Sequence, residues 1–289
     1  MPSFQGQTDQ VLRIQVQSLL ASVSWLSDRV AAGGLAVAEI MTAYVGNGAP
    51  IQLKVMDEKG ATIASANGTV QSNLHRSQIP IPADCRAKSL VLEIELPKHS
   101  LKGKSGLLAV VPALRFTDLK WTDKDGGALK AIVPDQVVTC EAKVAGLAEG
   151  DMVLVTVFQK REHGKTVLLS ADAAVKQERV KLPWNHGDTP GVEKIVIQKD
   201  LNREGGHYHA PEYLFTVSAL GLSAESEAIA HQTWIEYDFG PNPDAGQTRT
   251  ARFELADGVQ QEESVPENGL VRLTQVHPGH VIFKGFKHG

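Results

Sequence analysis

The chain has 289 residues, 42% of them hydrophobic and 21% charged. That balance suits folded globular material and leaves room for two or three domains. The formal net charge of -4 is far from the basic balance of a nucleic-acid-binding domain, so no nucleic-acid partner is expected. No run approaches the ~18 consecutive apolar residues of a membrane-spanning helix, so no membrane insertion is expected either.

The N-terminus, "MPSFQGQTDQVLRIQVQSLLASVSWL", lacks a basic segment followed by an unbroken apolar core. A secretory signal is therefore not expected, and the chain should be cytoplasmic when made. Residues 8–26 read equally as a helix capped at Thr8 or Asp9 and as a strand with Leu12, Ile14 and Val16 on one side. Beyond them the pattern is short strands. "IQLKVMD" (51–57) alternates Ile51, Leu53 and Val55 against Gln52 and Lys54. "LVLEIELP" (90–97) puts Leu90, Leu92, Ile94 and Leu96 on one face. Residues 100–110 contain two glycines and make a poor helix. "QVVTCEAKV" (136–144), "MVLVTVFQ" (152–159), "KIVIQK" (194–199) and "YLFTVSAL" (213–220) continue the series. Turn phrases such as "ANGT", "AEGD" and "REGG" separate them. The fold class is all-β.

One phrase occurs twice. "VSWLSDRVAAGG" (23–34) and "LKWTDKDGG" (119–127) each run Trp, hydroxyl residue, Asp, basic residue and Gly pair. A strand, a turn and another strand follow each. Further on, "IPIPAD" (79–84) falls beside "KLPWNHGD" (181–188). Residues 90–110 fall beside residues 213–231, and both stretches end in a Ser and a strand. A period near one hundred residues is that of one immunoglobulin-like sandwich. The chain thus reads as two tandem immunoglobulin-like β-sandwiches, 1–116 and 117–238, followed by a small β unit, 239–289. Trp25, Trp121 and Trp234 are assigned structural positions, the first two as core plugs. Gly33, Gly34, Gly126 and Gly127 shape turns. In the tail, Asp257-Gly258 and Asn268-Gly269 are hairpin-turn dipeptides.

The tail pattern "FELADG…ENGLVRL…PGHVIF" resembles a small transthyretin-like module found beside phage-tail-like and type VI secretion spike proteins and in their cargo. Asp257, Gly258, Asn268, Gly269, Pro278 and Gly279 carry that match. "WTDK", "PEYLFTV" (211–217) and "SEAI" (226–229) resemble immunoglobulin-like domains of secretion-associated proteins. The resemblance implies a structural or carrier role in a contractile injection apparatus, with a spike or effector protein as partner and export through that apparatus. It implies no catalytic residue.

The chemistry-bearing residues are sparse. "HYH" places His207 and His209 on one face of a strand, about 7 Å apart, without a third firm ligand. "HPGH" (277–280) reads as an exposed turn, and His186 in "WNHGD" as a turn residue. Cys85 and Cys140 fall in different domains and match no metal or redox spacing. There is no GxSxG elbow and no phosphate loop. No catalytic residue, metal site or cofactor is assigned, and the expected function is non-enzymatic protein binding. The alternatives are a carbohydrate- or peptidoglycan-binding module, and a hydrolase built from His207, His209 and the "WNHGD" turn.

Overall fold

The fold is described from a computed structural model over residues 16–133, 136–161, 164–186, 203–204, 207–208, 211–241 and 249–288. The chain divides into two compact units, Met1–Pro112 and Ala113–Gly289.

The first unit is a two-sheet sandwich. β1 (Leu19–Trp25), β3 (Leu35–Ala43) and β6 (Leu74–Pro80) form one sheet in the order β1-β3-β6. The other contains β2 (Arg29–Ala31), β4 (Ala49–Asp57), β5 (Thr62–Val70), β7 (Ser89–Leu96), β8 (Leu101–Lys104) and β9 (Leu108–Val111). Its order is β2-β9-β7-β4-β5, with β8 paired to β7. β2 runs parallel to β9; the other pairs are antiparallel. This is an immunoglobulin-like arrangement in which the first strand is split between the two sheets. The alternation read from sequence sets the core. Ile51, Leu53 and Val55 are buried against Leu90, Leu92, Ile94 and Leu96, while Gln52 and Lys54 face out. Leu19–Trp25 is a strand, so the helical alternative fails there; residues 1–15 lie outside the described part.

The second sandwich repeats this plan strand for strand. β10 (Arg115–Thr122), β12 (Val137–Ala145) and β15 (Arg179–Asn185) form the order β10-β12-β15. β11 (Ala131–Ile132), β13 (Met152–Arg161), β14 (Gly164–Ala174), β18 (Glu212–Ala219), β19 (Leu222–Glu225) and β20 (Ile229–His231) form β11-β20-β18-β13-β14, with β19 on β18. β11 is parallel to β20, as β2 is to β9. A small pair without a counterpart in the first sandwich, β16 (Arg203–Glu204) and β17 (His207–Tyr208), lies between β15 and β18 in sequence. "KIVIQK" lies outside the described residues.

The duplication extends to single hydrogen bonds. Two left-handed residues turn the fifth strand into the sixth in each copy: Ser72-Asn73 and Gln177-Glu178. Asn73 O accepts from Thr42 N–H, and Glu178 O from Val144 N–H. Asn47 Oδ1 caps Ser72 N–H in one copy, and Glu149 Oε2 caps Gln177 N–H in the other. Glu39 pairs across the sheet with Arg76, and Glu141 with Lys181 and Arg179. Burial pulls the Glu141 carboxyl upward, but Lys181, Arg179 and Lys120 outweigh it and hold the group below the usual carboxylate range.

The serine noted in both copies has one role. Ser105 exchanges hydrogen bonds with the Leu92 backbone, its Oγ accepting from Leu92 N–H and its own N–H donating to Leu92 O. Ser226 does the same with Phe215. Each hydroxyl completes the ladder where the last strand is interrupted. Ser226→Ala should leave the buried Phe215 N–H without an acceptor and cost about 1–3 kcal/mol, measurable by urea unfolding. An unchanged midpoint would mean that the hydroxyl is dispensable.

The phrase that revealed the repeat is only partly equivalent in structure. Trp25 pairs with Ala38 and Trp121 with Cys140, so the tryptophans correspond. The glycine pairs do not. Gly33 and Gly34 connect β2 to β3, where Gly33 takes φ 84° and Gly34 N–H donates to Ala31 O. Gly126 and Gly127 connect β10 to β11, in a turn closed by Asp123 Oδ1 accepting from Asp125 and Gly127 N–H. The short strand precedes the glycine pair in the first copy and follows it in the second, and at two or three residues it is too short to show periodicity.

The limit at 116/117 cuts β10, which starts at Arg115; the compact units meet at Pro112/Ala113. The 117–238 limits place "TWIEYD" (233–238) in the second sandwich. Instead β21 (Thr233–Asp238) pairs with β24 (Leu270–Val276) of the tail. β22 (Arg249–Glu254), β23 (Gln260–Val265) and β25 (Ile282–His288) form the tail's other sheet, β23-β22-β25. Phe253, Val271, Leu273 and Val276 are buried between these sheets, with Tyr237, Phe239 and Phe283 packed against them. Asp257-Gly258 turns the β22–β23 hairpin, with Asp257 Oδ1 accepting from Val259 N–H. Asn268-Gly269 instead carries the chain from one sheet to the other, because β23 pairs with β22 and β24 with β21. No helix among the described residues is long and apolar enough to cross a membrane.

Candidate functional site

β15 enters the second sandwich with "KLPWNH", and its alternation turns Trp184 and His186 inward. β18 supplies Tyr213 and β20 supplies His231 from the facing sheet. Trp184, His186, Tyr213 and His231 are all buried. His186 Nε2 lies 2.9 Å from Tyr213 Oη and 3.1 Å from His231 Nδ1, and the third edge, Tyr213 Oη to His231 Nδ1, is 3.4 Å. The rings contact one another at 4.6–6.0 Å between centroids. Trp184 packs edge-on against both His186 and Tyr213, and Trp121 packs on Trp184 and Phe215.

This polar triangle has a control within the chain. The strand registers place Trp184, His186, Tyr213 and His231 where the first sandwich has Ile79, Ile81, Leu90 and Val110, all buried. The fold therefore does not require polar groups there. Burying them costs free energy that hydrogen bonds only partly return. One atom is unsatisfied: His231 Nε2 is buried and has no hydrogen-bond partner. Burial, followed by the neighbouring His186 and His277, pushes the His231 pKa down from 6.5 to about 3. Burial also pushes the Tyr213 phenol up, so both groups are neutral at pH 7. His277 in the tail reaches the same region, with Nδ1 3.4 Å from the His231 carbonyl oxygen.

The residues assigned from sequence are placed differently. Trp121 is 4% exposed and Trp25 is half-buried against the first core. Trp234, a structural position in the sequence reading, is 49% exposed. The period of two in β21 sends Ile235 and Tyr237 inward and Trp234, Glu236 and Asp238 outward. The Arg272 guanidinium lies 4.1 Å above the Trp234 ring, and Leu270 is exposed on the same face of the neighbouring strand. His207 lies on β17; its side chain and all of His209 are outside the described residues. Among the described residues no group of three His, Cys, Asp or Glu could hold a metal ion. Both cysteines are buried free thiols, and burial pushes the Cys140 thiol pKa up, away from nucleophilic chemistry.

No protein-family model matches the chain, and no curated protein matches it. Among solved structures, native Escherichia coli alpha-2-macroglobulin is similar over 90% of this chain and 21% of its own, at 10% identity and TM-score 0.29. The BSP domain of a biofilm associated protein is similar over 74% of this chain and 29% of its own, at 16% identity and TM-score 0.27. A tetra-tandem repeat from the extending region of a large adhesion protein covers 89% of this chain with 66% of its own, at 12% identity and TM-score 0.26. The chain spans less than a third of the first two. At these scores the superpositions carry no weight, and the immunoglobulin-like assignment rests on strand order and register.

Proposed function

We propose that this is a non-enzymatic binding or carrier protein that acts through exposed sheet faces. The observation that carries this reading is the outer face of the β21–β24 ribbon. It presents a half-exposed Trp234 held under Arg272, beside Leu270. Trp and Arg are the residue types that dominate binding energy at protein interfaces, and here they are pre-ordered by stacking on each other. The tail that carries them is the segment whose turns resemble modules beside type VI secretion spikes. The partner to test is therefore a spike protein or its effector, and export through such an apparatus belongs to the same proposal.

Binding of the purified chain to purified spike and effector proteins tests it. The wild type should bind, and Trp234→Ala should weaken binding about thirtyfold or more. If the wild type binds neither protein, the secretion setting fails. If Trp234→Ala binds as well as the wild type, the ribbon is not the surface. An exposed indole is also a stacking platform for a sugar ring, which keeps a saccharide-binding reading open. A glycan array that loses its signal with Trp234→Ala would select that reading over the protein partner.

A further inference from the structure

We propose that the His186–Tyr213–His231 cluster is an acid-sensitive element that loosens the second sandwich, and not the first, when the pH falls below neutrality. The argument starts from the protons. Within the triangle the phenol and one ring N–H can satisfy the three facing atoms when both histidines are neutral. With its proton on Nδ1, His231 keeps Nε2 as a bare acceptor. A second proton can go only to Nε2, which is buried and has no partner. Protonation therefore creates a buried cation whose new N–H has nothing to donate to.

The groups facing His231 offer no relief. The position just after β15 contributes His186, β18 contributes the neutral phenol of Tyr213, and the tail contributes His277. β11 contributes Ala131 and Ile132. Among the described residues no carboxylate shifts His231: the charged neighbours that do are His186 and His277, and both push the same way.

The sign follows from linkage. A histidine held neutral when folded takes up a proton on unfolding, so the stability it permits is full above the unfolded pKa of 6.5. That stability is lost progressively as the pH falls from 6.5 toward the folded value of about 3. In the first sandwich Ile81, Leu90 and Val110 occupy these positions and cannot titrate. Its own described histidines, His75 and His99, are only half-buried and pair through Nδ1 with the Thr69 carbonyl and the Ser18 hydroxyl; His75 Nε2 is also buried without a partner, but its residue is not enclosed as His231 is, at 1% exposure. Loosening would begin at β20, which leads directly into β21 and the Trp234 face.

The chain carries one buried thiol in each sandwich, Cys85 in the first and Cys140 in the second. Labelling the full-length protein with a dipyridyl disulfide, which reacts with thiols in acid, resolves the two by peptide mass. Conditions are pH 7.0 and pH 5.0 in sub-denaturing urea, with rates corrected for the reagent's own pH dependence on a free thiol. The expected result is that lowering the pH accelerates opening-limited labelling of Cys140 roughly twentyfold while Cys85 changes less than about threefold. Replacing the cluster with the first sandwich's residues (His186→Ile, Tyr213→Leu, His231→Val) should remove the acceleration. His231→Val alone should remove most of it should the triple variant misfold. Equal acceleration at both thiols, or acceleration that persists in His231→Val, overturns the proposal.

Discussion

Trp121→Ala is expected to destabilise the second sandwich by about 3–5 kcal/mol, the usual cost of truncating a large buried aromatic. Trp121 is 4% exposed, meets Phe215 edge-on at 5.0 Å and lies 5.8 Å from Trp184. It ties the outer strand of the first sheet to the middle strand of the second and packs on Trp184, which itself packs on His186 and Tyr213. Removing it leaves a cavity between β-sheets that are pinned by their own ladders and cannot close in. Trp25 holds the corresponding position in the first sandwich but is half-buried, so Trp25→Ala should cost clearly less, about 1–3 kcal/mol. Urea unfolding with the Cys85 and Cys140 labelling readouts assigns each loss to its sandwich. Comparable losses for the two substitutions would mean that shared strand position, and not burial, sets their energetic weight.

Strands with a clean period of two were legible from sequence because one face of each must be buried. "IQLKVMD" and "LVLEIELP" show this, residue by residue. The duplication was legible too, through its tryptophans and serines. What misled was punctuation. A glycine pair marks a turn but not which turn, and β2, before the first pair, and β11, after the second, are too short to announce themselves. "TWIEYD" has the alternation of a strand, yet nothing local says which sheet it joins. Its partner, β24, begins more than thirty residues later.

The histidine cluster was harder still. His186, Tyr213 and His231 come from three strands and read locally as a turn residue, a core aromatic and a strand end. A signal was present in the comparison of the two copies. Where one keeps Ile81, Leu90 and Val110, the other has imidazole, phenol and imidazole. The matched stretches 90–110 and 213–231 already set Leu90 against Tyr213, but only the strand registers pair His186 with Ile81 and His231 with Val110. The copy with the apolar residues shows what the fold needs, and the difference between the copies marks what the second has added.

Gly269→Ala is expected to be the most damaging single-methyl change in the tail. Gly269 takes φ 77°, where an L side chain costs about 1–2 kcal/mol. An added Cβ would also overlap the Gly240 carbonyl oxygen, at the point where Phe239 N–H donates to Gly269 O. The obstacle is backbone, so it cannot swing aside; relieving it means parting the strand exit at Phe239 from the turn. Overpacking of that kind adds about 1–3 kcal/mol, for a total of roughly 2–5 kcal/mol. A unit of five short strands has little stability to lose. Gly258→Ala is the control: φ is 84° there too, but nothing lies within 4 Å of the added methyl, so only the conformational cost of about 1–2 kcal/mol remains. Limited proteolysis of the full chain, followed at the tail, should show a clearly larger acceleration of cleavage for Gly269→Ala than for Gly258→Ala. Matching behaviour of the two variants would mean that Gly269 is chosen for its backbone angle alone and that its close approach to Gly240 contributes nothing.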